Sequence, residues 1–282
     1  MQHDFTVDKL THAALTQYYR WYQVYEVPFS KKTIANQKDI LADDVEIVTH
    51  AGTTKGKDGL EERLKVYEGW FNAHHVQHTE VKQISENELS LEADILYQNI
   101  RPDQNKYSYT IHYSAVLQLR ENDLPVFTGL RLTPTGEIQE FTFQPAYAEN
   151  RSKSFMYYWF YLLETLPQSI DKYSELLAAD FSIELVDGSL IESEQALRSY
   201  FESFATKIKT GIHTFSTVQV KEIEEDLFSV SIDIDWKGIS ITNENMVFGT
   251  RHEWILENTK DERFARLKKM KITGTKPFEI VK

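Results

Sequence analysis

Nine histidines and no cysteine set the terms for any chemistry in this chain of 282 residues. Without thiols, disulfides, thiolate nucleophiles and cysteine-bound metals are excluded. Histidine is then the side chain whose ordinary pKa suits proton exchange near neutrality. His74 and His213 each stand where a helical stretch passes into strand, and His50 follows a short strand. His252 shares a strand face with Phe248, Thr250, Trp254 and Leu256, so it is expected to point inward. Tyr18 lies in the run Tyr18-Tyr19-Arg20-Trp21-Tyr22-Gln23-Val24-Tyr25, which is apolar on more than one side. These five are the candidate catalytic residues. His74, His75 and His78 also invite a metal reading, with Glu80 beyond them. An extended strand separates His74 from His78 by about 13 Å, too far for one ion, so no metal site is expected.

The elements that must position these groups follow from periodicity. From Asp8 to Tyr25 apolar residues recur at helical spacing, with Asp8 as cap and Pro28 as stop. Ile34 to Leu41 forms a second short helix, Val45, Ile47 and Thr49 a strand closed by Ala51-Gly52, and 58–72 a third helix. Strand material follows at 75–84, 89–99, 107–120, 124–132 and 137–144. After a segment without period at 145–153 the order begins again. Helices at 154–166 and 168–178 precede a strand at 180–186, a helix at 193–207, and strands near 212–222, 227–237, 246–257, 263–273 and 277–281. Alternation places Leu91, Ala93, Ile95 and Tyr97 on one face, and Val230, Ile232, Ile234 and Trp236 on its equivalent. Tyr97 and Trp236 are candidate pocket walls, with Tyr22, Tyr113 and Trp254 as further ligand-lining candidates.

The chain therefore reads as one domain written twice, 1–148 and 149–282. Ile40-Leu41-Ala42-Asp43-Asp44-Val45-Glu46-Ile47 sits over Leu176-Leu177-Ala178-Ala179-Asp180-Phe181-Ser182-Ile183 at an offset of 136, and Gly52 over Gly188 keeps it. His74 and Val81-Lys82-Gln83-Ile84 match His213 and Val220-Lys221-Glu222-Ile223 at 139, and Phe127 and Leu130 match Phe264 and Leu267 at 137. On that last offset the counterpart of His252 is Ala115.

Helices followed by a long antiparallel sheet, with Leu-Ala-Asp-Asp-Val-Glu-Ile entering the first strand, resemble the NTF2-like superfamily. That group includes SnoaL-type polyketide cyclases, scytalone dehydratase and ketosteroid isomerase. The resemblance covers both copies and implies α+β cones, two in tandem, each with helices packed on a curled sheet and a pocket at the open end. It does not imply one activity, because these domains host enzymes and binding modules alike. The isomerases carry a base Asp seven residues after the first Ala of the phrase. That position is Thr49 here, beside His50, and Leu185 in copy two, with Asp187 two residues on. Isomerase chemistry of that kind is therefore not expected. The first-helix donor of the isomerases would be Tyr18 or Tyr19, and Tyr157 or Tyr158 in copy two. The dehydratase and cyclase branches use His and Asp groups reaching into the cone, which keeps His74, His213 and His252 in play.

Composition narrows the partners. A net charge of −12 opposes a nucleic-acid or anionic-membrane surface. Sixteen Phe, 15 Tyr and 5 Trp suit an aromatic pocket. The N-terminus, Met1 to Thr6, lacks the pattern of a signal peptide, and the longest apolar run, Phe155 to Leu163, is short of a membrane span, so a cytoplasmic protein is expected. The sequence calls for no cofactor. The leading expectation is a small apolar or aromatic ligand in a cone pocket, with cofactor-independent lyase or isomerase chemistry. The alternative is a non-catalytic, pseudo-dimeric scaffold or protein-interaction module. Pairing of the two copies within the chain is expected in either case, and a homo-oligomer is compatible with both. Between them lies an enzyme with one active copy, for which Thr49, His50, His74 and Tyr18 favour copy one.

Overall fold

The computed structural model describes residues 5–281. The reading of the N-terminus rests partly on Met1–Asp4, which lie outside the described residues, as does Lys282. The first half contains α1 (Thr6–Trp21), α2 (Gln23–Glu26), α3 (Lys31–Asp39), β1 (Leu41–Thr49), β2 (Gly52–Lys55), α4 (Leu60–Lys65), β3 (Phe71–Ser85), β4 (Glu88–Ile100), β5 (Lys106–Arg120) and β6 (Asp123–Glu137). The second contains α5 (Tyr147–Glu164), β7 (Leu177–Glu184), β8 (Leu190–Ile191), α6 (Glu194–Ala205), β9 (Ile208–Glu224), β10 (Leu227–Ser240), β11 (Asn245–Glu257) and β12 (Arg266–Val281). The sheets have one order, β2-β1-β6-β5-β4-β3 and β8-β7-β12-β11-β10-β9, with β1·β6 and β7·β12 the parallel pairs. The expected α+β fold in two tandem copies is the one observed.

Two compact units arise from this chain. The first unit comprises Ala13–Ser154 and Lys260–Arg263; the second comprises the chain through His12, Phe155–Thr259, and Phe264 onward. Each unit thus includes a short stretch of the helix that opens the other half of the sequence.

Local chemistry explains the elements. Ser30 caps α3 through the Thr33 N–H, and Thr33 returns a bond to the Ser30 N–H, closing a capping box. Asn122 and Asp226 adopt positive φ in the β5–β6 and β9–β10 turns, which short polar side chains tolerate. On β4, Leu89, Leu91, Ala93 and Ile95 are buried at every second position; on β10, Val230, Ile232, Ile234 and Trp236 repeat the pattern. Bulges interrupt β3·β4, β5·β6 and the matching β9·β10 and β11·β12 pairs, and such extra residues bend a sheet.

Several boundaries differ from the periodic reading. The third helix ends at Lys65; turns then lead through Gly69, at φ 75°, into β3, whose first residue Phe71 is exposed. Residues 168–178 hold a 3₁₀ turn at Ile170–Leu176. Residues 138–146 form no strand; Gln98 holds this stretch through its side chain, bonding the Gln144 N–H and the Thr142 carbonyl. The strands expected at 263–273 and 277–281 are one continuous strand, β12. No described helix is long and apolar enough to cross a membrane.

The register also corrects the repeat. Tyr113 pairs with Ala93, and His252 with Ile232, so His252 stands where Tyr113 does, not Ala115. Likewise Phe127 pairs with Leu41 and Leu267 with Leu177, which makes Leu267 the counterpart of Phe127 and frees Phe264 from the match. The repeat persists, but one chance Phe-Leu coincidence had displaced it by a few residues.

Candidate functional site

Each unit centres on a carboxylate at a helix end that holds a strand histidine. In the first unit this is Glu26, the last residue of α2, with a side chain fully shielded from solvent. Its Oε1 accepts from the His74 backbone N–H at 2.8 Å and from His74 Nδ1 at 2.9 Å. Asn150 Nδ2 donates to both carboxylate oxygens at 3.1 Å and to the His74 carbonyl at 2.9 Å. A carboxylate offers no proton, so Nδ1 carries the hydrogen and Nε2 is the free nitrogen. The imidazole lies between two rings, Tyr22 at 4.5 Å and Tyr97 at 4.9 Å between centroids, both stacked. The histidine is therefore fixed in tautomer by Glu26 and in orientation by its neighbours.

His74 borders a cavity of about 530 Å³. Trp21, Tyr25, Tyr67, Trp70, Tyr97 and Tyr113 supply its aromatic wall, and Thr49 and His50 stand at its rim. Tyr97 directs its hydroxyl away, donating to Asn72 Oδ1 at 2.7 Å. Two guanidinium groups, Arg63 and Arg101, also line it, together with Asn99. Arg101 lies over the rings of Trp70 at 4.5 Å and Tyr107 at 4.0 Å. Arg63 Nε donates to the Tyr25 hydroxyl at 3.3 Å.

The second unit repeats the frame. Glu164, the last residue of α5, accepts from the His213 N–H at 2.9 Å and from His213 Nδ1 at 3.0 Å. Its other oxygen accepts from His12 Nδ1 at 2.9 Å. Burial alone would raise the Glu164 carboxyl, but the neighbouring His12 and His213 hold it below the usual range. Burial pushes the His213 imidazole down, with Glu164 opposing. His252 is pushed down to about 3 by burial and then by His213, and its Nδ1 has no partner. Both histidines border a second cavity of about 480 Å³, with Trp159, Phe201, Phe204, Trp236 and Phe248 among its walls. Gly211 and Gly238 flank Trp236, and a Cβ at Gly211 would stand 2.7 Å from the indole Nε1. Neither glycine could carry a side chain while the indole keeps its place.

The candidate residues thus separate into groups. His74, His50, Tyr97 and Tyr113 meet at the first cavity, and His213, His252 and Trp236 at the second. Tyr18 and Tyr22 are buried and bonded hydroxyl to hydroxyl, outside the cavity lining, although Tyr22 backs His74. Burial pushes both phenols well up, so they remain neutral. Trp254 is also behind the wall, against Phe155 and Phe160.

Glu26, Glu164, His12, Asn150, Arg63, Arg101 and Asn99 were not among the expected site residues. A signal for the first four was present: Trp21 and Trp159, Glu26 and Glu164, and His12 and Asn150 all share an offset of 138.

No family model matches the chain, and no curated protein matches it. Solved structures do resemble it, one half at a time. A candidate aromatic-ring hydroxylase from Novosphingobium aromaticivorans is 13% identical, with 49% of this chain and 96% of that one covered at a TM-score of 0.45. A candidate scytalone dehydratase from the same organism is 10% identical, covering 48% and 87% at 0.43. The hexachlorocyclohexane dehydrochlorinase LinA-type3 from Novosphingobium barchaimii is 17% identical, covering 48% and 94% at 0.41. Each of these alignments spans about half of the chain.

Proposed function

We propose that the first cavity binds a small aromatic molecule and that His74 Nε2 removes a proton from it, in a lyase- or isomerase-type step without a cofactor. The observation that carries this reading is the geometry of His74: Nδ1 held by a buried carboxylate, ring clamped between two tyrosines, and the residue part of the wall of an aromatic cavity. A general base needs a fixed tautomer and a partner for the imidazolium it becomes, and Glu26 supplies both. Bound aromatic ligand would exclude water along the ring-lined wall, which strengthens the Glu26–imidazolium attraction as the proton moves.

The reading is tested in D₂O with a panel of aromatic ketones and β-hydroxy ketones, reading deuterium uptake and loss of water by mass spectrometry. The wild-type chain should act on at least one compound, and His74→Gln should lower that rate by about a hundredfold or more. Equal rates for both proteins would reject His74 as the base.

A further inference from the structure

The first cavity contains more positive charge than a neutral aromatic ligand requires. Arg63 and Arg101 both line it, and among the described residues no aspartate or glutamate does. Among the described residues neither guanidinium pairs with a carboxylate. Arg63 spends only Nε on the Tyr25 hydroxyl, and Arg101 is held by the faces of Trp70 and Tyr107 with its own Nε buried and unpartnered. Both residues are half-buried, and a guanidinium partly withdrawn from water is costly to leave unpaired. Elsewhere in this unit the rule is kept: Arg20 reaches Asp39 at 3.1 Å.

A second, independent feature lies beside them. Asn99 continues the inward face of β4 two residues beyond Tyr97 and is 1% exposed. Neither its Oδ1 nor its Nδ2 has a partner, although buried amides almost always find one. In the other unit the position equivalent to Asn99 is Gly238, and that equivalent to Arg101 is Ser240. Arg63 corresponds to Tyr200 at the offset of 137 that also aligns the buried pairs Leu60 with Leu197 and Leu64 with Phe201. The charges and the amide are therefore particular to one cavity and are not required by the fold.

We infer that the ligand of the first cavity is a small aromatic anion, whose charged group is held by Arg63 and Arg101 and whose polar edge bonds Asn99. This rests on the cavity being a ligand site and adds the ligand's charge. Planar guanidinium groups suit an oxyanion bidentately, and the aromatic wall takes the ring. Steering by two uncompensated cations also suits a protein whose net charge of −12 would otherwise repel such a ligand.

The test compares 2-naphthoate with its neutral counterpart 2-naphthamide by titration calorimetry on the full chain. The carboxylate should bind at least tenfold more tightly, and the preference should weaken as salt rises. Arg101→Gln and Arg63→Gln should each reduce the preference to about twofold or less, and a urea midpoint equal to that of the wild-type chain shows that the variants fold. Arg101→Lys should restore part of it. Equal affinity for the two probes, or a preference that survives both glutamine variants, overturns the inference while the ligand-site reading stands. Binding of neither probe overturns both.

Discussion

The two cavities share a carboxylate-held histidine and differ in nearly everything around it. In the first unit Glu26 is completed by the neutral amide of Asn150; in the second, Glu164 is completed by the imidazole of His12. Tyr97, tied to Asn72, faces one histidine, whereas Trp236, seated between two glycines, faces the other. One wall carries two arginines; among the described residues no lysine or arginine lines the other. The invariant part is what a proton-transfer group needs for orientation, and the variable part is what a ligand would touch. On the function proposed above, the difference is one of two specificities mounted on one frame.

The comparison breaks most visibly at the carboxylates. Glu164→Ala removes the carboxylate that two buried histidines share through Nδ1, and should destabilise the second unit by about 4 kcal/mol. Urea unfolding followed by amide exchange would locate the loss to that unit. Acid should separate the units next. His252 is held down to about 3, so below about 6.5 the unfolded chain binds a proton that the folded one does not. Stability then falls as pH falls, with a slope that approaches about 1.4 kcal/mol per unit, for a loss of about 2 kcal/mol between pH 6.5 and 4.5. His213, also lowered, acts in the same direction, and the depressed Glu164 carboxyl adds a further loss at lower pH. His252→Phe should flatten the profile over that range, read as the urea midpoint against pH.

Gly238→Ala should cost about 2 kcal/mol, since its methyl would meet the Trp236 indole and force it aside. A shifted tryptophan emission together with a lower Tm is the expected signature. Asn150→Ala removes one amide from Glu26 but leaves both His74 bonds, and should cost about 1 kcal/mol. A cost equal to that of Glu164→Ala would show that the amide and the imidazole are not alternative solutions to one problem.

Much of the architecture was legible because strand alternation and the shared phrase at Leu41 and Leu177 are local signals. Helix ends were less so: the third helix stops at Lys65 and gives way to turns through Gly69, which the periodicity of Leu60, Leu64 and Tyr67 does not reveal. The histidines were visible as residue types. Their carboxylates were not, because a single glutamate closing a tyrosine-rich helix looks like a solvated end, and burial comes only with the folded sheet. Asn150 lay in a stretch without period. Arg101 follows strand residues and precedes a proline turn, where arginine is ordinarily solvent-facing; only the packing of Trp70 and Tyr107 holds it at the cavity.

The most direct test of two specificities on one frame is ring nitrogen NMR of histidine-labelled protein, titrated in turn with 2-naphthoate and with toluene. The account predicts that 2-naphthoate moves the His74 signals alone, while toluene moves those of His213 and His252. The same histidines responding to both probes, in both units, would contradict it.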